Sequence, residues 1–205
     1  MYKLTWPNRI TILRILLTAP FVVALLHLQD AQWGEVARRL AVAVFLIMAI
    51  SDGLDGYLAR RLKQESAAGR FLDPLADKLL ILLSVLLLGH EGTHVVGAML
   101  PATVAVIAIG KDLVVILGFC IIYFTTSRLY IEPCRLGKWC TTFQLLMVIA
   151  ILISPELPAW LSRLPKVLWW SASALACAAA VHYFQRGRRF LAQYEQANSI
   201  QAPRK

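Results

Sequence analysis

Ser51-Asp52-Gly53-Leu54-Asp55-Gly56-Tyr57-Leu58-Ala59-Arg60, followed after a short break by Gly69-Arg70-Phe71-Leu72-Asp73-Pro74-Leu75-Ala76-Asp77-Lys78, is the stretch around which the chain organises itself. An apolar run leads into the first group and another leads out of the second, so the carboxylates stand where two predicted helices meet. Asp52 and Asp55 are three positions apart and Asp73 and Asp77 four, spacings that set each pair on one helix face. The connection 61–68 is polar and short, which predicts two helices side by side and antiparallel, with four carboxylates converging at one end.

Outward from there the chain is apolar. Of its 205 residues 59% are hydrophobic and 16% charged, and the mean hydropathy is +0.63, a composition that excludes an ordinary soluble domain. Segments 8–28, 36–58, 72–89, 98–124, 139–155 and 165–184 each approach the roughly 20 apolar residues that cross a bilayer. The expected fold is therefore an all-α integral membrane domain over 1–205, with six transmembrane helices behind a short interfacial segment, Met1 to Trp6. Ile10 to Leu28 follows basic residues as a signal peptide would, but His27-Leu28-Gln29-Asp30 offers no small-residue cleavage site, so it reads as a retained span.

Charge supports the alternation. Sixteen Lys and Arg residues, Arg14 and Lys78 among them, fall on the side that also holds the carboxylates. Only Arg38, Arg39, Arg163 and Lys166 fall on the other, and Lys111 lies inside the fourth span. The excess of positive charge on one side predicts that both termini and the aspartates are cytoplasmic. The formal charge of +9 fits loops and anionic headgroups, with the tail from Tyr183 onward as a cytoplasmic stub carrying Arg186, Arg188 and Arg189. Nucleic acid is not an expected partner, because no basic stretch is interleaved with aromatics.

Four of the twelve acidic residues within 26 positions would repel one another unless cations sat among them. Pairing with Arg60, Arg61, Arg70 and Lys78 is one solution; divalent metal is the other. Oxygen-only ligands favour Mg²⁺ or Mn²⁺ over zinc. Gly56 and Ala59 lie one and two turns from Asp52 and leave the helix surface open to a nucleotide or phosphate, which Arg60 can reach. Gly53 and Gly56 each cost a helix about 1 kcal/mol relative to Ala, a cost with little purpose in a purely structural span.

The pattern Asp-x2-Asp-Gly-x2-Ala-Arg-x8-Gly-x3-Asp-x3-Asp is complete in Asp52, Asp55, Gly56, Ala59, Arg60, Gly69, Asp73 and Asp77, and resembles the signature of the CDP-alcohol phosphatidyltransferase family. The resemblance implies two Mg²⁺ or Mn²⁺ ions held by Asp52, Asp55 and Asp73, joined by Asp77, which would also be the catalytic general base. It implies a cytidine nucleotide pocket lined by Gly56, Ala59, Arg60 and Gly69, a phosphatidyl donor in CDP-diacylglycerol, release of CMP, and a homodimer in a bacterial inner membrane.

Pro7 to Arg14, Phe71 to Leu79, and Leu136-Gly137-Lys138 with Thr141 and Gln144 resemble the bacterial branch whose acceptor is glycerol 3-phosphate, and make Lys138 the expected acceptor-phosphate contact. Lys111-Asp112 stands where the family commonly carries another charged pair, so Lys111 is either a second acceptor contact or a structural partner. Adjacent helical residues diverge by about 100°, which predicts that these two do not pair with each other.

A cardiolipin synthase using phosphatidylglycerol shares the same aspartates and is the alternative within the family. A divalent cation transporter is the alternative outside it. His90 and His94, at i, i+4, read as interfacial residues rather than a metal site. The four cysteines read as buried thiols, and Trp6, Trp33, Trp160, Trp169 and Trp170 as an aromatic belt.

Overall fold

The computed structural model describes the backbone of residues 6–62, 67–126 and 135–201, and the side chains of 12–51, 78–118, 121, 136–190 and 192. Six α-helices account for nearly all of it: α1 (Trp6–Leu26), α2 (Gly34–Leu62), α3 (Ala67–Leu88), α4 (Ala102–Thr126), α5 (Arg135–Leu152) and α6 (Leu164–Gln201). Two 3-10 turns, Ser154–Glu156 and Ala159–Leu161, join the last pair, and no strand occurs among the described residues. Each helix overlaps one expected segment. The expected interfacial segment lies outside the described residues up to Trp6, where α1 begins.

Two boundaries differ from expectation. The fourth helix starts at Ala102, because Pro101 interrupts the apolar run and its carbonyl accepts from Val104 N and Ala105 N at 3.0 and 3.2 Å. The tail after Tyr183 is no separate stub: α6 is a single helix of 38 residues. At about 1.5 Å per residue it is roughly 57 Å long, nearly twice the ~30 Å hydrocarbon layer. No proline or glycine pair breaks it, so helical propensity carries it past the apolar run.

The core runs through all six helices, with Phe21, Ala24 and Leu25 of α1 against Phe45 and Met48 of α2 and Ile81 and Val85 of α3. The Phe21 and Phe45 rings stand 5.7 Å apart at 40°. Among the described residues α2 and α3 pack chiefly on α1, and α4 and α5 chiefly on α6. The expected side-by-side contact of α2 and α3 at the carboxylates lies outside the described side chains. Beyond Trp169, the buried residues of α6 are Ala172, Ser173, Ala176 and Ala179, small side chains that let neighbouring backbones approach closely.

Connections 27–33, 89–101 and 153–163 gather at one end of the bundle. Gln29 Nε2 donates to the Glu91 carbonyl at 2.9 Å and the His94 carbonyl at 3.3 Å, tying the first connection to the second. The Thr93 hydroxyl donates to the Leu87 carbonyl at 2.6 Å and Leu100 N to the Leu88 carbonyl at 3.1 Å, closing the carbonyl end of α3. Gly97 turns the chain there at φ +83°, a left-handed conformation that L side chains resist.

Large apolar side chains cover much of the outside: Leu16, Ile50, Val106, Leu117, Val167 and Phe184 are all exposed. Among the described residues Ala159–Phe190 is long and apolar enough to cross a bilayer, while Ile12–Leu26, Lys78–Leu88 and Leu136–Leu152 are shorter apolar stretches. Two expectations are corrected. Cys177 is exposed, on the outward face of α6, while Cys140 is buried as expected; Cys120 and Cys134 lie outside the described side chains. Trp169 is buried where α6 meets the core, unlike the exposed Trp33, Trp160 and Trp170, because adjacent residues on a helix point in different directions. His90 and His94 lie in the α3–α4 connection, between the expected spans, and His94 Nδ1 is 2.8 Å from Gln29 Nε2.

Candidate active site

Helix α2 runs unbroken through Asp52 and Asp55, and α3 through Asp73 and Asp77. The side chains of these four, and of Gly56, Ala59, Arg60 and Gly69, lie outside the described residues. What is described is the layer immediately below them. Met48 and Ala49 of α2, Leu80 and Ile81 of α3, and Thr141 and Leu145 of α5 surround a cavity of about 20 Å³ together with Arg14 of α1, room for about one water. Arg14 is 1% exposed. In helical register Asp52 follows Met48 by one turn, and Asp77 precedes Ile81 by one turn.

A second polar group fills the same level on the α4 side. Asp112 Oδ1 accepts from Lys78 Nζ of α3 at 2.5 Å and from Lys111 Nζ at 2.9 Å. Lys111 Nζ also faces Gln144 Oε1 at 3.4 Å and Cys140 Sγ at 3.7 Å, both on α5. The side chain of Lys111 is 4% exposed, that of Asp112 18%, and that of Lys78 35%. Ionised groups in this position are stable only as a mutually satisfied set. The expectation that Lys111 and Asp112 do not pair is corrected: their Cβ atoms diverge, but the four-carbon lysine stem folds back and carries Nζ to the carboxylate.

Lys138 is exposed in the first turn of α5. The Gly137 beside it has no Cβ because the Tyr183 hydroxyl of α6 occupies that space; an ideal Cβ would come within 2.5 Å of the oxygen. Glycine there lets the middle of α6 lie close against the start of α5. Farther along α6, His182, Gln185, Arg186 and Arg189 line a shallow hollow, and the Arg188 guanidinium lies 6.0 Å from the Phe184 ring centroid.

Lys111 and Lys138 thus reach the same helix at different depths, Lys111 inside the bundle and Lys138 at its surface. Reading the sequence undervalued Arg14, Lys78 and Asp112. Arg14 and Lys78 count as span-end charges by side, yet each falls six positions inside an expected span, and that depth is the signal in the sequence. Among the described residues no group of three or more His, Cys, Asp or Glu is placed to hold a metal.

The sequence profile described as CDP-alcohol phosphatidyltransferase matches residues 4–183. The chain is 44% identical over 109 residues to "CDP-diacylglycerol--glycerol-3-phosphate 3-phosphatidyltransferase" of Pseudomonas fluorescens, covering 53% of this chain and 51% of that protein. A Bacillus subtilis (strain 168) protein of the same name is 30% identical over 191 residues, 88% of this chain and 93% of its own length. A Schizosaccharomyces pombe "Cardiolipin synthase (CMP-forming) / mitochondrial hydrolase fusion protein" is 29% identical over 87% of this chain, which spans 30% of that protein. With the aspartate pattern on two adjoining helices and the profile running from the first helix into the last, the chain belongs to the CDP-alcohol phosphatidyltransferase family.

Proposed function

We propose that this chain transfers a phosphatidyl group from CDP-diacylglycerol to glycerol 3-phosphate and releases CMP. One observation supports the reading: Met48 and Ala49 of α2 and Leu80 and Ile81 of α3 meet around Arg14 one helical turn from Asp52 and Asp77, a register compatible with one shared site for both carboxylate pairs. The names borne by the Pseudomonas and Bacillus relatives favour glycerol 3-phosphate as acceptor.

Asp52, Asp55, Asp73 and Asp77 hold two Mg²⁺ or Mn²⁺ ions, for which an all-oxygen donor set is suited. When bound, these ions neutralise the diphosphate and stabilise the oxygen that leaves with CMP. Gly56, Ala59, Arg60 and Gly69 receive the cytidine nucleotide. Asp77 takes the proton of the acceptor hydroxyl as its oxygen bonds to the lipid-linked phosphorus and the bond to CMP breaks. Lys138 binds the acceptor phosphate in the first turn of α5, where the helix dipole also favours an anion. Lys111 supports the pocket from below, through Gln144 and Asp112.

The chain crosses the bacterial inner membrane six times as a homodimer, with both termini and the site cytoplasmic. Its apolar exterior and one-sided Lys and Arg distribution support the spans and their orientation. Membership of a transferase family leaves the transporter reading without support. Phosphatidylglycerol is the second acceptor to test, because of the name of the Schizosaccharomyces relative.

The test uses purified chain in liposomes containing CDP-diacylglycerol with Mg²⁺ or Mn²⁺. Glycerol 3-phosphate, phosphatidylglycerol, inositol phosphate and serine are offered in turn, and CMP and the lipid product are measured. Glycerol 3-phosphate should give CMP and phosphatidylglycerophosphate, with Asp77→Asn reducing the rate by about 10²–10⁴. Undiminished release by Asp77→Asn removes the proposed base, and no CMP with any acceptor removes the reaction.

A further inference from the structure

The geometry points to Lys78 as a positioning residue, tethered by Asp112, that holds the carboxylate-bearing part of α3 in place for the transfer reaction. This inference rests on the proposed function. Lys78 directly follows Asp77, so whatever fixes Lys78 also fixes the adjoining turn of α3. Its Nζ is 2.5 Å from Asp112 Oδ1 on α4, and the same oxygen holds Lys111, which meets Gln144 and Cys140 on α5. A single carboxylate thereby links α3 to α4, and through Lys111 to the helix that carries Lys138.

Apolar packing does not supply this link. Between α3 and α4 lies a half-open cavity of about 190 Å³, walled by Leu79, Leu82, Val85, Ile109, Leu113 and Ile116, with Lys78 and Asp112 at its polar end. Helices separated by such a groove can rotate against each other at modest steric cost, because few side chains interdigitate. The ion pair lies where that rotation would shift the aspartates. The charge count points the same way: two lysines share one carboxylate, whereas stability alone is met by one of them. Lys111 is the more deeply buried and already satisfies Asp112, which leaves Lys78 as the member that stability does not require.

Lys78→Gln tests this cleanly, since it leaves a neutral Lys111–Asp112 pair in the bundle. Spin labels at Leu79→Cys and Leu117→Cys, both exposed positions, report the α3–α4 distance. The native cysteines are replaced by Ser, with Ala at Cys140. Lys78→Gln is expected to keep or raise the thermal midpoint and to broaden or lengthen the distance distribution. It is expected to lower kcat at least tenfold with little change in the KM for CDP-diacylglycerol, and Lys78→Arg should recover both readouts.

An unchanged distance distribution overturns the tether, and displaced helices with full turnover overturn its positioning role. Loss of turnover in step with loss of folded protein marks a plain structural role and overturns the inference as well. The distance measurement needs no turnover, so a wild-type chain that releases no CMP counts against the transfer reaction while the tether is still decided.

Discussion

The Arg38 guanidinium, from the second turn of α2, closes the carbonyl end of α5 by donating to the Leu152 carbonyl at 3.0 Å and to Glu156 Oε1 at 2.8 Å. The last carbonyls of a helix lack partners within it and carry the negative end of its dipole, so a buried cation satisfies both needs. Arg39 adds a longer contact to Glu156 at 3.8 Å and pairs with Glu35 one turn away. The end of the bundle opposite the aspartates is held by polar contacts between connections as well as by apolar packing.

Arg38→Ala is therefore expected to destabilise the folded protein by about 2 kcal/mol, the cost of leaving a carbonyl and a carboxylate without a charged donor. Arg38→Lys should recover part of this, since an ammonium cannot serve both acceptors in fork geometry. Thermal unfolding in detergent measures it, and an unmoved midpoint for Arg38→Ala removes the capping role.

The hydrogen bond and charge of Arg38 hold the Glu156 carboxyl below its ordinary range. A depressed folded value means that this pair contributes stability above the unfolded glutamate pKa, near 4.3, and loses it as pH falls through the lower folded value. Unfolding midpoints should be flat between about pH 6 and 8 and drop below about pH 4. Glu156→Gln should show a smaller acid-induced drop than the wild type; an identical drop rules this pair out as a source.

Gly137→Ala places a methyl group against the Tyr183 hydroxyl and should force the tyrosine side chain out of its place beside the start of α5. The expected result is a several-fold higher KM for the acceptor. Combining it with Tyr183→Phe, which removes the obstructing oxygen, should restore part of the loss. If the double variant is no better than the single one, the close approach is not the reason for glycine.

Lys138→Ala should raise the KM for glycerol 3-phosphate about tenfold or more, the scale of one charge-assisted hydrogen bond, and leave the KM for CDP-diacylglycerol unchanged. Lys138→Arg should stay close to wild type. Equal effects on both substrates would assign Lys138 to general architecture rather than to the acceptor.

Chelation of divalent ions should abolish CMP release, and Mg²⁺ or Mn²⁺ should restore it. Asp55→Asn should demand a higher metal concentration for half-maximal rate, because one anionic ligand is lost. Undiminished turnover in metal-free protein would leave the aspartates without their proposed purpose.

Helix number and order could be read from the chain because they depend on near neighbours: long apolar runs, the polar breaks between them, and Asp pairs at three and four residues. The family could be read for the same reason, since its pattern occupies eight positions within 26 residues. Boundaries held less well. Pro101 shortens α4 at its start, and α6 continues well past its apolar run.

Partners across helices were another matter, because they depend on how each helix is rotated and how deep each residue sits. Nothing local in Lys78 or Asp112 says that residues 34 apart will share a proton donor and acceptor at 2.5 Å. Nor does anything local distinguish buried Trp169 from exposed Trp170, or carry Arg38 to the end of a helix more than a hundred residues away. Spacing along the chain set which residues could act together as neighbours on one helix. Packing of six helices about one core selected which distant charges meet, since an ion in an apolar bundle persists only where another helix brings it a counter-charge.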